Sequence, residues 1–149
     1  MGERYVPDRN KVRYEDHTAD LWMTAEGADE QEVITNMLTG LYSTISEEFT
    51  IDPAGTLNIE FHGGSLEEVL INVLSEALFL FDARSVLILR PTIGLSETKG
   101  GFKAVLTGSM AECTIPPEKG GFEVKAVTHH KAEMCKEGAR WKGRVLLDL

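Results

Sequence analysis

The sequence predicts an α+β fold, a two-layer α/β sandwich in which two helices pack on a mixed or mostly antiparallel sheet. Three observations predict it: two amphipathic segments that each begin with a capping box, several apolar runs with a period of two, and paired glycines that separate the later runs. The chain has 149 residues, 42% of them hydrophobic, which suits one packed domain spanning 1–149.

Both helices are predicted from their start signals and from the spacing that follows. Asp29 and Glu32 form a D-x-x-E capping box before a run of apolar residues spaced three and four apart. Ser65 and Glu68 form a second box directly after the glycine pair 63–64. Apolar residues cover more than half of the second helix, so we expect it to lie deep in the protein or to contact other elements on both flanks.

The strands are predicted from alternation. Leu57, Ile59 and Phe61 point one way, with polar residues between them, which is typical of a strand with one buried face. One N-terminal strand is predicted to run through Tyr14 and to continue around Leu21–Ala25. Further strands are predicted at Val86–Ile93, Phe102–Ala111, Phe122–Thr128, Ala132–Lys136 and Trp141–Leu147. The glycine-punctuated series indicates an antiparallel meander.

Charge and composition restrict the function. There are 15 Lys and Arg against 24 Asp and Glu, a net charge of −9, which disfavours autonomous nucleic-acid binding. No Lys or Arg occurs from Tyr14 to Ala83, where 15 of the acidic residues lie. The two cysteines fit a reducing compartment, and neither a signal peptide nor a run of about 20 apolar residues is present. We therefore expect a soluble, cytoplasmic protein that contacts no membrane.

The segment Asp16–Asp20 is the first candidate site. On a strand, Asp16, Thr18 and Asp20 share one face and could offer oxygen ligands to a hard cation. The spacing favours the alternative, a polar turn whose side chains satisfy backbone groups. The spacing alone leaves both interpretations open.

The histidines and cysteines form weaker patterns. His129 and His130 are adjacent, so on a strand they point to opposite faces and cannot chelate one ion without a bend. Cys113 and Cys135 lack zinc-finger spacing, and a nucleophile pair of Cys135 with His130 lacks a third, orienting residue. No glycine-rich phosphate-binding motif is present, which disfavours a nucleotide-dependent enzyme.

The end of the sequence is the third candidate site. A predicted strand runs through Val145–Leu147 to Asp148 and Leu149, which would place the Asp148 carboxylate beside the terminal carboxylate. Two anions held close together repel each other unless a cation lies between them. The alternative is a strand that ends in water.

Together these segments resemble the archease family. The resemblance covers Tyr14 to Leu149 and leaves residues 1–13 outside as an N-terminal extension. It rests on four motifs: H-T-A-D at 17–20, L-F-L-F-D at 78–82, V-K-A-V-T-H-H at 124–130, and D-L at 148–149.

The resemblance implies a function. Archeases are partner proteins of an RtcB-type RNA-splicing ligase, which joins a 2′,3′-cyclic or 3′-phosphate RNA end to a 5′-hydroxyl through a guanylated histidine. They promote guanylylation and multiple turnover in tRNA splicing without being the ligase, so we expect an activator rather than an enzyme.

The resemblance also implies a metal site. Its ligands would be Asp20, Asp148 and a backbone or terminal oxygen of Leu149, holding a divalent ion, calcium first and Mg²⁺ or Mn²⁺ as alternatives. Lys125 is a further functional candidate. His129 stands where the family commonly has Tyr, which leaves its role open. The alternatives are a chaperone-like module that modulates partner solubility or oligomeric state, and a metal-dependent hydrolase using the same two aspartates.

Overall fold

Both helices begin at their capping boxes. In this computed structural model, which describes residues 2–17 and 19–149 and only the backbone of 16 and 17, Asp29 Oδ1 accepts from the Glu32 N–H at 2.8 Å, and Glu32 Oε1 accepts from the Ala28 N–H at 3.0 Å. At the second helix, Ser65 Oγ accepts from the Glu68 N–H and Glu68 Oε2 accepts from the Gly64 N–H, both at 3.1 Å. One free N–H group of each first turn, and one just before each helix, is thus satisfied locally.

The strands form two four-stranded sheets. In chain order the elements are β1 Glu3–Tyr5, a 3₁₀ turn Arg9–Lys11, β2 Arg13–His17, β3 Asp20–Gly27, α1 Glu30–Ile45, β4 Phe49–Gly63, α2 Leu66–Arg84, β5 Val86–Thr98, β6 Gly101–Thr114, β7 Ala126–Glu137 and β8 Arg140–Asp148. The first sheet has the order β1-β4-β6-β5 and the second the order β2-β3-β8-β7, with every pairing antiparallel among the described residues.

The core lies where the helices meet both sheets. Helix α1 packs against β3 and β8 of the second sheet and β5 of the first, while α2 packs against β7 of the second and β4 to β6 of the first. This confirms that α2 contacts other elements on both flanks. Tyr42 is buried in this core, and its hydroxyl accepts from the Ile88 N–H at 2.9 Å, joining α1 to β5. No helix in the described part of the chain is long and apolar enough to cross a membrane.

The α+β class is confirmed, and the structure refines the sheet. The segment after β6 leaves the first sheet, crosses the end of α1 and enters the second. The single N-terminal strand predicted through Tyr14 and around Leu21–Ala25 is wrong, because its two halves, β2 and β3, pair antiparallel with His17 opposite Asp20. The strand predicted at Phe122–Thr128 begins only at Ala126, since the Phe122 N–H donates to the Thr44 carbonyl of α1 at 2.9 Å. β7 then continues through an irregularity between Thr128 and Glu133, so it includes the separately predicted Ala132–Lys136.

The N-terminal extension is part of the folded domain. β1 pairs with the start of β4, so that Tyr5 lies opposite Phe49, and the centroids of their two rings are 6.2 Å apart. Arg4 Nε donates to Glu48 Oε1 at 2.7 Å. Residues that precede the family resemblance are therefore held by backbone pairing and by a ring contact.

Candidate functional site

The candidate site lies where β3 begins and β8 ends. These strands are antiparallel neighbours, and their register places Asp20 directly opposite Asp148. Directly opposed residues project from the same face of a sheet with Cβ atoms about 4.5–5.5 Å apart. Two carboxylates that are 128 positions apart in the sequence are therefore brought together. We call this pair, with Leu149 beside it, the acidic end.

Backbone hydrogen bonds fix the acidic end. The Asp148 carbonyl accepts from the Lys125 N–H at 2.7 Å, and Ala126 of β7 lies opposite Asp148 on its other side. The Leu149 N–H donates to the Ala19 carbonyl at 3.1 Å, and the half-buried Leu149 packs against the core. The last residues are thus held between two strands, which limits the motion of the Asp148 carboxylate.

The pair faces outward because β3 alternates. Leu21 and Met23 of β3 are buried against the helices, whereas Asp20 and Trp22 are half-buried. Across the strand pair, Leu147 is buried opposite Leu21. Asp20 therefore lies on the solvent side of the second sheet, where a hydrated ion can reach it.

Another outward-facing position of this sheet carries a cation that makes contacts of its own. The Arg144 guanidinium lies 3.9 Å from the ring centroid of Trp22, and its Nη2 donates to Glu15 Oε2 at 3.1 Å. A cation over an indole is favourable, and the carboxylate orients it further. Sequence reasoning did not single out these three residues, although the alternation of β3 already placed Trp22 on the face of Asp20.

The segment Asp16–Asp20 is divided between β2 and β3. Asp16 pairs with Leu21 and His17 pairs with Asp20, while Thr18 and the side chains of Asp16 and His17 lie outside the described residues. Asp16 and Asp20 therefore belong to two paired strands, with Asp16 opposite Leu21, and the single strand on which Asp16, Thr18 and Asp20 would share one face is not formed. Among the side chains that the structure does describe, no three His, Cys, Asp or Glu groups come together. The ligand set Asp20, Asp148 and Leu149 stays a prediction.

The remaining candidates spread over both sheets. Lys125 adjoins the acidic end through its backbone, and its side chain is exposed. His129 and His130 are exposed in the irregular part of β7. Cys113 is buried on β6 of the first sheet, whereas Cys135 is exposed on β7 of the second.

The two thiols are expected to react differently. Burial raises the pKa of Cys113 to about 11, so at about pH 8 nearly all of it is the unreactive thiol, while Cys135 is exposed to reagent. A disulfide reagent such as dithionitrobenzoate should titrate one thiol in the native protein and both in urea. Fast titration of both thiols in the native state would contradict the burial of Cys113.

These features define a class of protein: a small α+β domain in which two helices pack against two antiparallel sheets, with paired carboxylates at one sheet end. Comparison with known proteins identifies the particular family. A model of the Archease protein family (MTH1598/TM1083) matches residues 13–149. The chain belongs to the archease family.

Individual relatives agree with this assignment. The chain is 32% identical over 142 residues to Protein archease of Pyrobaculum neutrophilum, covering 92% of this chain and 94% of that protein. It is 29% identical over 126 residues to Protein archease of Danio rerio, covering 85% of this chain and 78% of that protein.

Solved structures share the fold. The solution structure of Methanobacterium thermoautotrophicum protein 1598 superposes with a TM-score of 0.75 at 26% identity, over 93% of this chain and 99% of that one. A crystal structure from Thermotoga maritima, described as an archease and possible chaperone, superposes with a TM-score of 0.58 at 17% identity, over 91% of this chain and 94% of that one. At this identity the likeness supports the fold alone.

Proposed function

We propose that this protein activates an RtcB-type RNA-splicing ligase, promoting its guanylylation and multiple turnover in tRNA splicing without joining RNA itself. Membership of the archease family supports the proposal. The structural observation that carries it is the register of β3 and β8, which places Asp20 opposite Asp148. An activator of this kind works where its ligase works, which we infer to be the cytoplasm.

The acidic end fits a divalent ion. Like charges placed directly opposite each other in a sheet are unfavourable, and a cation between them removes the repulsion. Carboxylate and main-chain oxygens are the ligands that Ca²⁺, Mg²⁺ and Mn²⁺ prefer, whereas zinc favours nitrogen and sulfur. We propose that Asp20, Asp148 and the main-chain oxygen of Leu149 hold the ion, with calcium the first candidate.

The chain's own contribution is to hold this site in place. When bound, the ion supplies a concentrated positive charge at the outward face of the second sheet. The contacts of Asp148 with Lys125 and of Leu149 with Ala19 keep the oxygens in position before a ligand arrives. Such pre-organisation lowers the cost of assembling a charged contact with a partner.

A turnover assay tests the proposal. Purified RtcB-type ligase, GTP and a cleaved RNA with a 2′,3′-cyclic phosphate are mixed with the protein at a small fraction of the ligase concentration. We expect many joined RNAs per ligase, with faster formation of the guanylated ligase, and no joining when the ligase is left out. An unchanged ligase turnover number, with the protein folded and in excess, would overturn the proposal.

A chaperone-like role is the second candidate, because large apolar side chains such as Val6 and Phe122 are about half exposed. A chaperone that keeps the ligase soluble or sets its oligomeric state acts in proportion to its amount. The same assay therefore separates the two: stimulation that requires one protein per ligase, and that accompanies a change in ligase solubility, favours the chaperone role.

A further inference from the structure

A second feature of the surface is a cavity of about 590 Å³ whose lining contains neither Asp20 nor Asp148. The N-terminal extension forms one wall at residues 6–9, the end of α1 forms another, and the crossing segment 119–122 forms a third. Leu21 of β3 contributes to its lining. Volumes of about 300–1,000 Å³ are typical of cavities that bind a ligand.

The cavity collects exposed apolar side chains. Among the described residues, five large hydrophobic side chains are exposed, and three of them line it: Val6, Tyr14 and Phe122, with exposed fractions of 50%, 37% and 51%. Scattered exposed apolar residues are ordinary, but a cluster around one concave surface indicates binding. A bound apolar group would cover all three at once.

The walls of the cavity are fixed. The Tyr14 hydroxyl lies 2.6 Å from Ser43 Oγ and donates to the Gly40 carbonyl at 2.9 Å, which anchors this side chain on α1. In the crossing segment, the Gly121 N–H donates to the Ile45 carbonyl at 2.8 Å, and the Lys119 carbonyl accepts from the Glu47 N–H at 2.8 Å. The cavity therefore exists before a ligand binds, which reduces the entropy lost on binding.

The charges around the cavity indicate an uncharged occupant. Its charged lining residues are Asp8 and Glu47 with Arg9 and Lys119, two of each sign. Sites that bind phosphate groups have more Lys and Arg than Asp and Glu. The rim of this cavity has equal numbers of the two. An apolar side chain of a protein, flanked by its polar backbone, matches an apolar cavity with a balanced rim.

We propose that this cavity receives one or two large apolar side chains from the RtcB-type ligase, as a second contact separate from the acidic end. The inference rests on the proposed function for the identity of the partner. Its position supports it: Tyr14 and Leu21 belong to β2 and β3, the same hairpin that carries Asp20. Asp20 and Leu21 project from opposite faces of this hairpin, but both lie at the first residues of β3, so a partner that wraps the end of the strand can contact both.

The test is the affinity of Phe122→Ser for the ligase, with Phe79→Ser as the matched control. Phe79 lies on α2, has an exposed fraction of 54% and does not line the cavity. Neither change removes a buried side chain, so thermal melts should match those of the unaltered protein. We expect Phe122→Ser to weaken ligase binding at least about tenfold, as loss of a central apolar anchor does, and Phe79→Ser to change it less than about twofold.

Salt separates this contact from the acidic end. An apolar contact is not screened, so the factor lost in Phe122→Ser should be the same at about 0.1 M and about 1 M salt. Val6→Ser provides a second, independent reduction of the same contact. Unchanged binding in both cavity variants would overturn the proposal, and so would equal losses in Phe122→Ser and Phe79→Ser.

Two further results are distinguishable. If the unaltered protein stimulates the ligase and both cavity variants bind it normally, only the cavity assignment fails, whereas an unaltered protein that neither binds nor stimulates the ligase removes both proposals. Sedimentation equilibrium tests whether the cavity instead holds a second copy of this chain. If Phe122→Ser dissociates a dimer and leaves ligase binding unchanged, the cavity is a dimer contact and the proposal is wrong.

Discussion

Replacing Asp20 by Asn is expected to weaken divalent-ion binding at least about 100-fold and to reduce ligase stimulation to near the unstimulated rate. Asn has nearly the same volume as Asp and keeps one acceptor oxygen, but it removes one of the two charges that the β3–β8 register places opposite each other. Loss of a group in the second shell of a metal already costs about 10–100-fold in affinity, so loss of a direct ligand should cost at least as much.

Calcium titration by calorimetry, and the shift of thermal unfolding with calcium, measure this effect. An ion present at about 100 times its Kd stabilises the folded state by about 2.7 kcal/mol. Under the same conditions the Asp20→Asn protein should show almost no shift. Asp148→Asn should behave in the same way, and the double variant should lose little more, because either change already breaks the site.

Glu26→Gln is the matched control for Asp20→Asn. Glu26 lies on the same strand and the same outward face, and its change also removes one negative charge. It lies six residues along β3, about 20 Å away at about 3.3 Å per residue, which is roughly two Debye lengths at 0.1 M salt. Ion affinity should therefore be unchanged in Glu26→Gln. A similar loss in both proteins would indicate a general charge effect and would contradict a site at Asp20.

The helices could be predicted from the sequence because their signals are local. The start of α1 depends on Asp29 and Glu32, three residues apart, and the structure forms the reciprocal hydrogen bonds that this spacing allows. The wide apolar surface of α2 likewise predicted contacts on both flanks, and α2 indeed packs against both sheets. Short-range patterns of this kind need no knowledge of the partner strands.

The sheets and the acidic end depend on long-range pairing, which local patterns do not contain. Nothing near Asp20 in the sequence specifies that its strand pairs with β8, and the spacing of Asp16 to Asp20 favoured a polar turn over a cation site. The resemblance to archeases, and not periodicity, connected Asp20 with Asp148. The cavity was missed for the same reason, since Phe122 was predicted within a strand and its neighbours come from distant segments.

The structure also changes the meaning of the acidic surplus. Several of the acids between Tyr14 and Ala83 serve the fold: Asp29 and Glu32 cap α1, and Glu68 caps α2. Asp29 lies beyond the opposite end of β3 from Asp20. The net charge of −9 therefore does not form one continuous acidic surface, and only the acids at the start of β3 and the end of β8 contribute to the candidate site.

Replacing Phe49 by Ala is expected to lower the free energy of unfolding by about 3–5 kcal/mol, the largest stability effect we predict. Phe49 is fully buried at the start of β4, and its ring contacts aromatic rings from three other elements. The centroids of Tyr42 of α1 and Phe81 of α2 lie 6.4 and 6.3 Å away in edge-to-face geometry, and Tyr5 of β1 lies 6.2 Å away. Alanine leaves a cavity among rings that cannot collapse without moving both helices.

Urea unfolding of Phe49→Ala beside Phe79→Ala checks this prediction. Phe79 has an exposed fraction of 54%, so the same change there should alter stability by less than about 0.5 kcal/mol. Because Tyr5 directly precedes the cavity wall at residues 6–9, Phe49→Ala should also loosen the extension and speed tryptic cleavage after Arg9. Equal stabilities of the two variants would contradict the packing of this core. Normal stability loss with unchanged cleavage would show that β-pairing with β4, and not the ring contact, holds the extension in place.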